Sequence, residues 1–213
     1  QIPGVVGAAP AILGKALVSG PAGQAFMSIK GIDADLEPSV TAIAGAMRSG
    51  SVEALAPQSG EDIDGVLLGS DLAAKLGAAA GDSIQLVTPE GTVTPFGMAY
   101  PPRRLRVAGT FTLGLYEVDS TFGMVSIDVA KRLLRRDEPD LMQLRVADIY
   151  AAPAIAGLVT STLGSEYTSQ DWAMMNQSLF SALWLEKVAV SLAIGLIVMV
   201  AALNIVTSLI LLV

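Results

Sequence analysis

The chain has 213 residues, 52% of them hydrophobic, a net charge of −7, and neither cysteine nor histidine. Structural disulfides, Cys or His metal sites, a catalytic cysteine and a Ser–His pair are therefore excluded. No basic stripe with interleaved aromatics is present, so nucleic acid is not expected as a partner.

Residues 1–50 alternate apolar runs with Gly and Pro. Gly20, Pro21 and Gly23 mark a turn between a first strand through Ala16-Leu17-Val18 and a second over residues 25–32. Residues 40–47 read as a short helix. Asp33, Asp35 and Glu37 alternate along an extended segment, where solvation explains them better than paired acid–base chemistry. Residues 60–64 read as a polar loop. Next come a strand over Gly65-Val66-Leu67-Leu68, a helix over residues 71–76 capped by Ser70 and stopped at Gly77, and a strand over residues 83–88. Strands are expected over residues 104–114, 123–127 and 141–146. A helix over residues 129–136 carries Lys131, Arg132, Arg135 and Arg136 on its wet side, another covers residues 151–163, and a short strand follows at residues 165–168.

From Asp171 onward there is no proline. Residues 172–213 read as one helix, started by Thr168 or Ser169 and amphipathic for its first turns. From about residue 188 it carries no charge. A hydrocarbon core about 30 Å thick needs roughly 20 helical residues, so this stretch can cross a bilayer. The chain opens on Gln1 and stops within the apolar run, and it is expected to be a piece of a larger membrane protein. Within the span, Asn204, Thr207 and Ser208 share a face, and Ser191 and Gly195 form a small-xxx-small pair. Both patterns suit close packing against another helix in lipid; the competing reading is that Ser and Thr bond their own backbone carbonyls.

Two nucleotide and metal motifs fail on spacing. Six residues separate Gly7 from Gly14 where a phosphate loop has four, and Ala16 stands where it needs Ser or Thr. Counted from Asp62, the twelfth position of a calcium loop is Ala73 rather than Glu. Neither a cofactor nor a metal is expected.

Residues 89–102 differ from their surroundings. The run Pro-Glu-Gly-Thr-Val-Thr-Pro-Phe-Gly-Met-Ala-Tyr-Pro-Pro is dense in turn formers and interrupts two strands. It reads as a long hairpin arm, with Phe96, Met98 and Tyr100 either displayed on it or folded back onto the domain. Arg103, Arg104 and Arg106 follow directly. They are either edge-strand charges that block sheet-to-sheet pairing or a cationic pad for an acidic partner.

At several of these places the sequence resembles a known family. Gly65-Val66-Leu67-Leu68-Gly69-Ser70-Asp71-Leu72-Ala73-Ala74-Lys75-Leu76-Gly77 with Gly81-Asp82-Ser83-Ile84 is similar to the periplasmic domain of lipoprotein-releasing ABC transporter permeases of the LolC/LolE family. So are Thr94-Pro95-Phe96-Gly97 with Pro101-Pro102, Gly114-Leu115-Tyr116-Glu117-Val118-Asp119, Asp171-Trp172, Leu185-Glu186-Lys187 and the apolar tail from Val200. The Thr-Pro-x-Gly pattern favours the LolC type over LolE or makes the chain a hybrid. Ala99-Tyr100 before the double proline departs from the family pattern.

The resemblance implies an α+β fold of the two-lobed MacB-like kind, followed by a transmembrane helix. Residues 1–50 and 138–171 would form a mixed α/β lobe and residues 51–137 a β-rich inserted lobe bearing the arm, 89–104. Residues 172–213 would form a long helix, transmembrane from about 188. It further implies a non-catalytic permease subunit of the bacterial inner membrane, with residues 1 to about 187 in the periplasm. Implied partners are a LolD-like cytoplasmic ATP-binding subunit, a second LolC/LolE-like permease, a LolA-like periplasmic lipoprotein carrier, the lipoprotein cargo and membrane lipid. Thr94, Pro95, Phe96, Gly97, Met98, Tyr100, Pro101 and Pro102 match the hook that grips the carrier, and Arg103 and Arg104 match a basic pad beside it. The alternatives are a MacB- or FtsX-like efflux or signalling permease, or a membrane-anchored sensor domain.

Overall fold

A computed structural model describes residues 2–56, 63–95, 97–164 and 166–212. The turn at Gly20-Pro21 joins β1 (Val5–Gly20) to β2 (Gly23–Ile32) in an antiparallel hairpin whose register runs from Gly20↔Gly23 to Ala11↔Ile32. Two one-turn helices follow, α1 (Glu37–Val40) and α2 (Ile43–Ala46), then β3 (Met47–Gly50) and a 3-10 turn at Glu53–Leu55. The single helix expected over residues 40–47 is broken at Thr41, which is extended, and Met47 already belongs to a strand.

β4 (Asp64–Gly69) leads into α3 (Ser70–Leu76) and β5 (Ser83–Val87). Gly69, not Ser70, is the N-cap, and no side chain caps this helix. Gly77 ends it in the left-handed conformation at φ +61°, as its missing Cβ allows. The arm contains β6 (Thr92–Thr94) and β7 (Gly97–Ala99). After it come β8 (Arg103–Phe111), α4 (Tyr116–Thr121), β9 (Phe122–Ser126), α5 (Ile127–Leu134) and β10 (Leu141–Val146).

Six of these strands close on themselves. β1 pairs with β2, β2 with β9, β9 with β4, β4 with β8, β8 with β5, and β5 returns to β1. The β2–β9 and β4–β8 pairs are parallel; the other four are antiparallel. Closure leaves no open edge within this ring, and β10 and β3 extend it as attachments to β1 and β8.

Strand alternation sorts the core. One face contributes Ile12, Ala16 and Val18, Met27 and Ile29, Val66 and Leu68, Ile84 and Leu86, Leu105 and Val107, and Val125, joined by α3 and α5. The opposite face of the same strands, Ile32, Leu67, Ala108, Met124 and, past the register shift of β8 at Val107–Gly109, Phe111, packs beneath Ile43, Val52 and Leu55 of the segment after β2. Each fully buried Leu, Ile or Phe side chain stabilises the fold by about 1.5–3 kcal/mol. Helix α5 comes so close to β2 that a Cβ on Gly31 would overlap Ala130.

Residues Val5–Ala147 form one compact unit. Residues 5–50, 51–137 and 138–147 do not separate within it, because strands from all three join one eight-stranded sheet, whereas residues 148–171 belong to the second unit.

The second unit holds the residues up to Gly4 and those from Asp148 onward. It contains a 3-10 turn at Ile149–Ala151, α6 (Ala152–Leu163), α7 (Trp172–Met175) and α8 (Gln177–Leu212). The helix expected from residue 172 is thus interrupted at Asn176, whose side chain turns back to donate to the Trp172 carbonyl. Asp171 caps α7 by accepting from the Met174 N–H. The expected cap Ser169 instead donates to the Ala156 carbonyl and meets Thr160 Oγ1 at 2.6 Å. Residues 166–168 form no strand. Trp172 anchors this corner: its indole N–H donates to the Ile149 carbonyl, and its ring meets Phe180 edge-on at 5.3 Å.

Candidate functional site

The arm is a hairpin that stands apart from the main sheet. Among the described residues β6 and β7 pair only with each other, from Thr92↔Ala99 to Thr94↔Gly97. Gly97 sits at φ +114°, a conformation that L side chains rarely adopt. Pro95, Pro101 and Pro102 are exposed, and Met98 and Tyr100 keep 56% and 49% of their surface in solvent. Both side chains lean over Gly91, where a Cβ would come 2.9 Å from Tyr100 Cε1 and 3.1 Å from Met98 Cε. Of the expected hook residues, Phe96 lies outside the described residues, and Thr94 is placed by its backbone pairing alone.

The arm springs from a junction that fixes its root. β5 and β8 are antiparallel neighbours, with Leu86 opposite Arg103 and Gln85 opposite Arg104, so the intervening residues form an enlarged hairpin loop. Arg103 and Arg104 therefore sit at the first rungs of β8 and are exposed. Arg106 behaves differently. It is half-buried and donates to the Ala54 carbonyl, a structural contact between β8 and the 3-10 turn.

Spacing along the chain did not reveal the other side of this site. A cleft of about 340 Å³ is lined by Pro102, Arg103 and Arg104 on one side and by Asp64, Arg132 and Leu133 on the other. A smaller hollow continues from it past Glu90, Tyr100, Pro101 and Arg135. Four guanidinium groups thus converge at the root of the arm. Arg132 Nη2 meets Asp64 Oδ1 at 2.6 Å, while neither Arg103 nor Arg104 makes an ion pair among the described residues. Of the acidic loop considered for calcium, Asp64 lines the cleft, and Glu61 and Asp62 lie outside the described residues.

Two buried acids hold the barrel's connections. Asp119 is 3% exposed and accepts from the backbone N–H groups of Leu113 and Gly114, at 2.8 and 3.0 Å. It fixes the turn that ends β8 and begins α4, and explains on structural grounds why an acid closes the Gly114-to-Asp119 motif. Asp119→Ala removes both charge-assisted bonds, and a loss of about 1.5–3 kcal/mol is expected in thermal melts of the protein. Glu37, expected in solvent beside Asp33 and Asp35, is instead fully buried and ion-paired to Lys30 at 2.5 Å. Asp33 and Asp35 lie at a turn, where Asp33 Oδ1 accepts from the N–H groups of Asp35 and Leu36.

In the second unit, α8 is long and apolar enough to cross a membrane, and none of its residues is buried. Its 36 residues span about 54 Å at 1.5 Å each. Ser191, Gly195, Asn204, Thr207 and Ser208 are all exposed on it, and open space surrounds a Cβ built on Gly195. Thr207 Oγ1 donates to the Leu203 carbonyl, so this hydroxyl is satisfied within its own helix.

No protein-family model matches the chain. A protein of Xylella fastidiosa (strain Temecula1 / ATCC 700964) named lipoprotein-releasing system transmembrane protein LolC is 32% identical over 211 residues. The protein of the same name from Neisseria meningitidis serogroup B is 34% identical over 209 residues. Over nearly its whole length the chain is homologous to LolC. The matches cover 99% and 97% of the chain but 50% and 49% of those proteins, so the chain spans about half the length of its LolC relatives. Among solved structures, the extracellular domain of the noncanonic ABC-type transporter YknZ from Gram-positive bacteria superposes with a TM-score of 0.52 at 12% identity. It covers 80% of this chain and 84% of that domain. The fold is thus the α+β fold of ABC-permease extracellular domains, followed here by one C-terminal apolar helix.

Proposed function

We propose that this LolC-like chain is the periplasmic domain and the start of the second membrane helix of an inner-membrane ABC permease. The permease releases lipoproteins and hands them to a LolA-like periplasmic carrier. A separate LolD-like subunit hydrolyses the ATP, a second LolC/LolE-like permease completes the membrane part, and this chain is non-catalytic. Residues 1 to about 187 lie in the periplasm. The observation that carries the reading is the homology to LolC across nearly the full chain, arm included.

The physical chemistry supports a division of labour. Withdrawing acyl chains from a bilayer costs about 0.8 kcal/mol per methylene, tens of kcal/mol for a triacylated anchor. Such a step needs an external energy source and a waiting acceptor. The arm and its cationic root supply the acceptor's docking point: exposed Met98 and Tyr100 offer apolar contact, and Arg103 and Arg104 offer charge. Ser191 with Gly195, and Asn204 with Ser208 on the opposite side of α8, offer two small or polar patches for neighbouring helices.

The test is to purify the full-length permease with the products of its neighbouring genes. An ATPase and a lipoprotein are expected to accompany it, and ATP is expected to transfer that lipoprotein to the carrier. Recovery without any ATPase would favour the membrane-anchored sensor instead.

A further inference from the structure

The convergence of Arg132 and Arg135 on the arm's root goes beyond the pad formed by Arg103 and Arg104. We propose that these two residues of α5 and its C-cap form the second wall of the carrier-docking groove. Asp64 stands in, within the resting protein, for the carrier carboxylate that Arg132 receives. The proposal rests on the docking reading above and adds residues to it.

Three observations carry it. The first is charge. Among the described residues that line the two adjoining clefts, four arginines stand with two acids, Asp64 and Glu90, in a chain whose net charge is −7. A concave site focuses such a field and selects an acidic partner.

The second is Arg132 itself. Its bond to Asp64 is short, but the two side chains remain 62% and 30% exposed. An exposed ion pair of this kind is weak in water and is readily exchanged for an incoming carboxylate that arrives with other contacts. Guanidinium is also suited to that exchange, because its planar fork binds a carboxylate in a bidentate fashion.

The third is the backbone of Arg135. Among the described residues it is the one non-glycine with positive φ, at +51°, where it caps α5 and its N–H bonds the Lys131 carbonyl. Glycine takes this conformation without steric cost, so the arginine side chain is held here against a conformational preference. Strain of this sort points to a use for the side chain.

A protein partner fits this site better than a lipid headgroup. Tyr100, Pro101 and Pro102 line the same clefts as the arginines, and tyrosine with arginine is the composition of protein–protein hot spots.

The test uses the full-length permease complex in nanodiscs, titrated with purified carrier over a salt series. Arg132→Gln and Arg135→Gly are each expected to weaken carrier binding by about tenfold and to flatten its salt dependence. Arg135→Gly is also expected to keep or raise the melting temperature, since it relieves the backbone; a merely structural arginine would not separate the two readouts in this way. Asp64→Asn, which removes the internal competitor, is expected to tighten binding by about threefold. Wild-type affinity and salt slope in both arginine variants would overturn the second wall while leaving the docking reading intact. An unchanged or weakened Asp64→Asn variant would overturn the stand-in role. Failure of the wild-type complex to bind carrier at all would overturn both readings. Arginine-dependent binding to anionic phosphatidylglycerol vesicles, with carrier binding unaffected, would reassign the groove to lipid.

Discussion

Replacing residues 89–102 with an Asn-Gly turn is expected to weaken carrier capture by at least about 100-fold while shifting the melting temperature by only a few degrees. The pairing of β5 with β8 makes this a clean excision. Leu86 already lies opposite Arg103, so a short turn can join the two strands in their existing register. Among the described residues β6 and β7 pair only with one another, so their removal breaks no described rung of the main sheet. Among the described residues the excision removes the exposed side chains of Met98, Tyr100 and the prolines, which suit a partner rather than the domain's own core. Pulldown of the purified carrier by wild-type and excised permease, beside a melting curve for each, measures both halves. Undiminished capture by a folded variant would remove the docking role from the arm.

What the sequence disclosed was local, and what it hid was distant. The β1–β2 hairpin follows from Gly20, Pro21 and Gly23, and the β4–α3–β5 unit from Gly77 and the Gly81-Asp82 turn, because turn chemistry acts over a few residues. The arm was legible for the same reason, and α8 from its apolar length alone. Barrel closure was not. The β2–β9 and β4–β8 pairs are parallel and join strands far apart in the chain, a pairing that no periodicity within either strand encodes. For the same reason the expected boundaries near residues 50 and 137 have no counterpart in the sheet, which passes through both.

The site divides along the same line. Arg103 and Arg104 could be read beside the arm because they adjoin it in sequence. Arg132 and Arg135 appeared only as the wet side of a helix, and their approach to β8 depends on how α5 packs on the barrel. Glu37 shows the converse error. Three acids in alternation read as a solvated edge, yet Glu37 turns inward to a lysine seven residues earlier, and α1 supplies the turn that brings it there.

That buried pair carries the largest expected effect on stability. Lys30 is 6% exposed and Glu37 fully buried, so neither charge can recover its hydration if the other is removed. Glu37 Oε1 accepts from Lys30 Nζ at 2.5 Å and from Thr41 Oγ1 at 3.0 Å, which ties α1 and the segment after it to the C-terminal part of β2. Lys30→Met leaves a carboxylate buried without a counter-charge, and a loss of about 3–5 kcal/mol is expected. Glu37→Leu leaves the ammonium stranded and is expected to cost a similar amount. The double variant removes both charges and leaves an apolar contact of similar volume, so its stability is expected to return to within about 1 kcal/mol of the wild type. Scanning fluorimetry of the detergent-solubilised protein resolves such a cycle, since the single losses lower the melting temperature by roughly 10 °C. If the double variant melted as low as the singles, the pair would owe its worth to specific hydrogen-bond geometry, including Thr41, rather than to mutual neutralisation. The segment it ties down carries Ile43, Val52 and Leu55 over the outer face of the sheet. The pair therefore controls whether that second core, and with it the pairing of β3 to β8, remains closed.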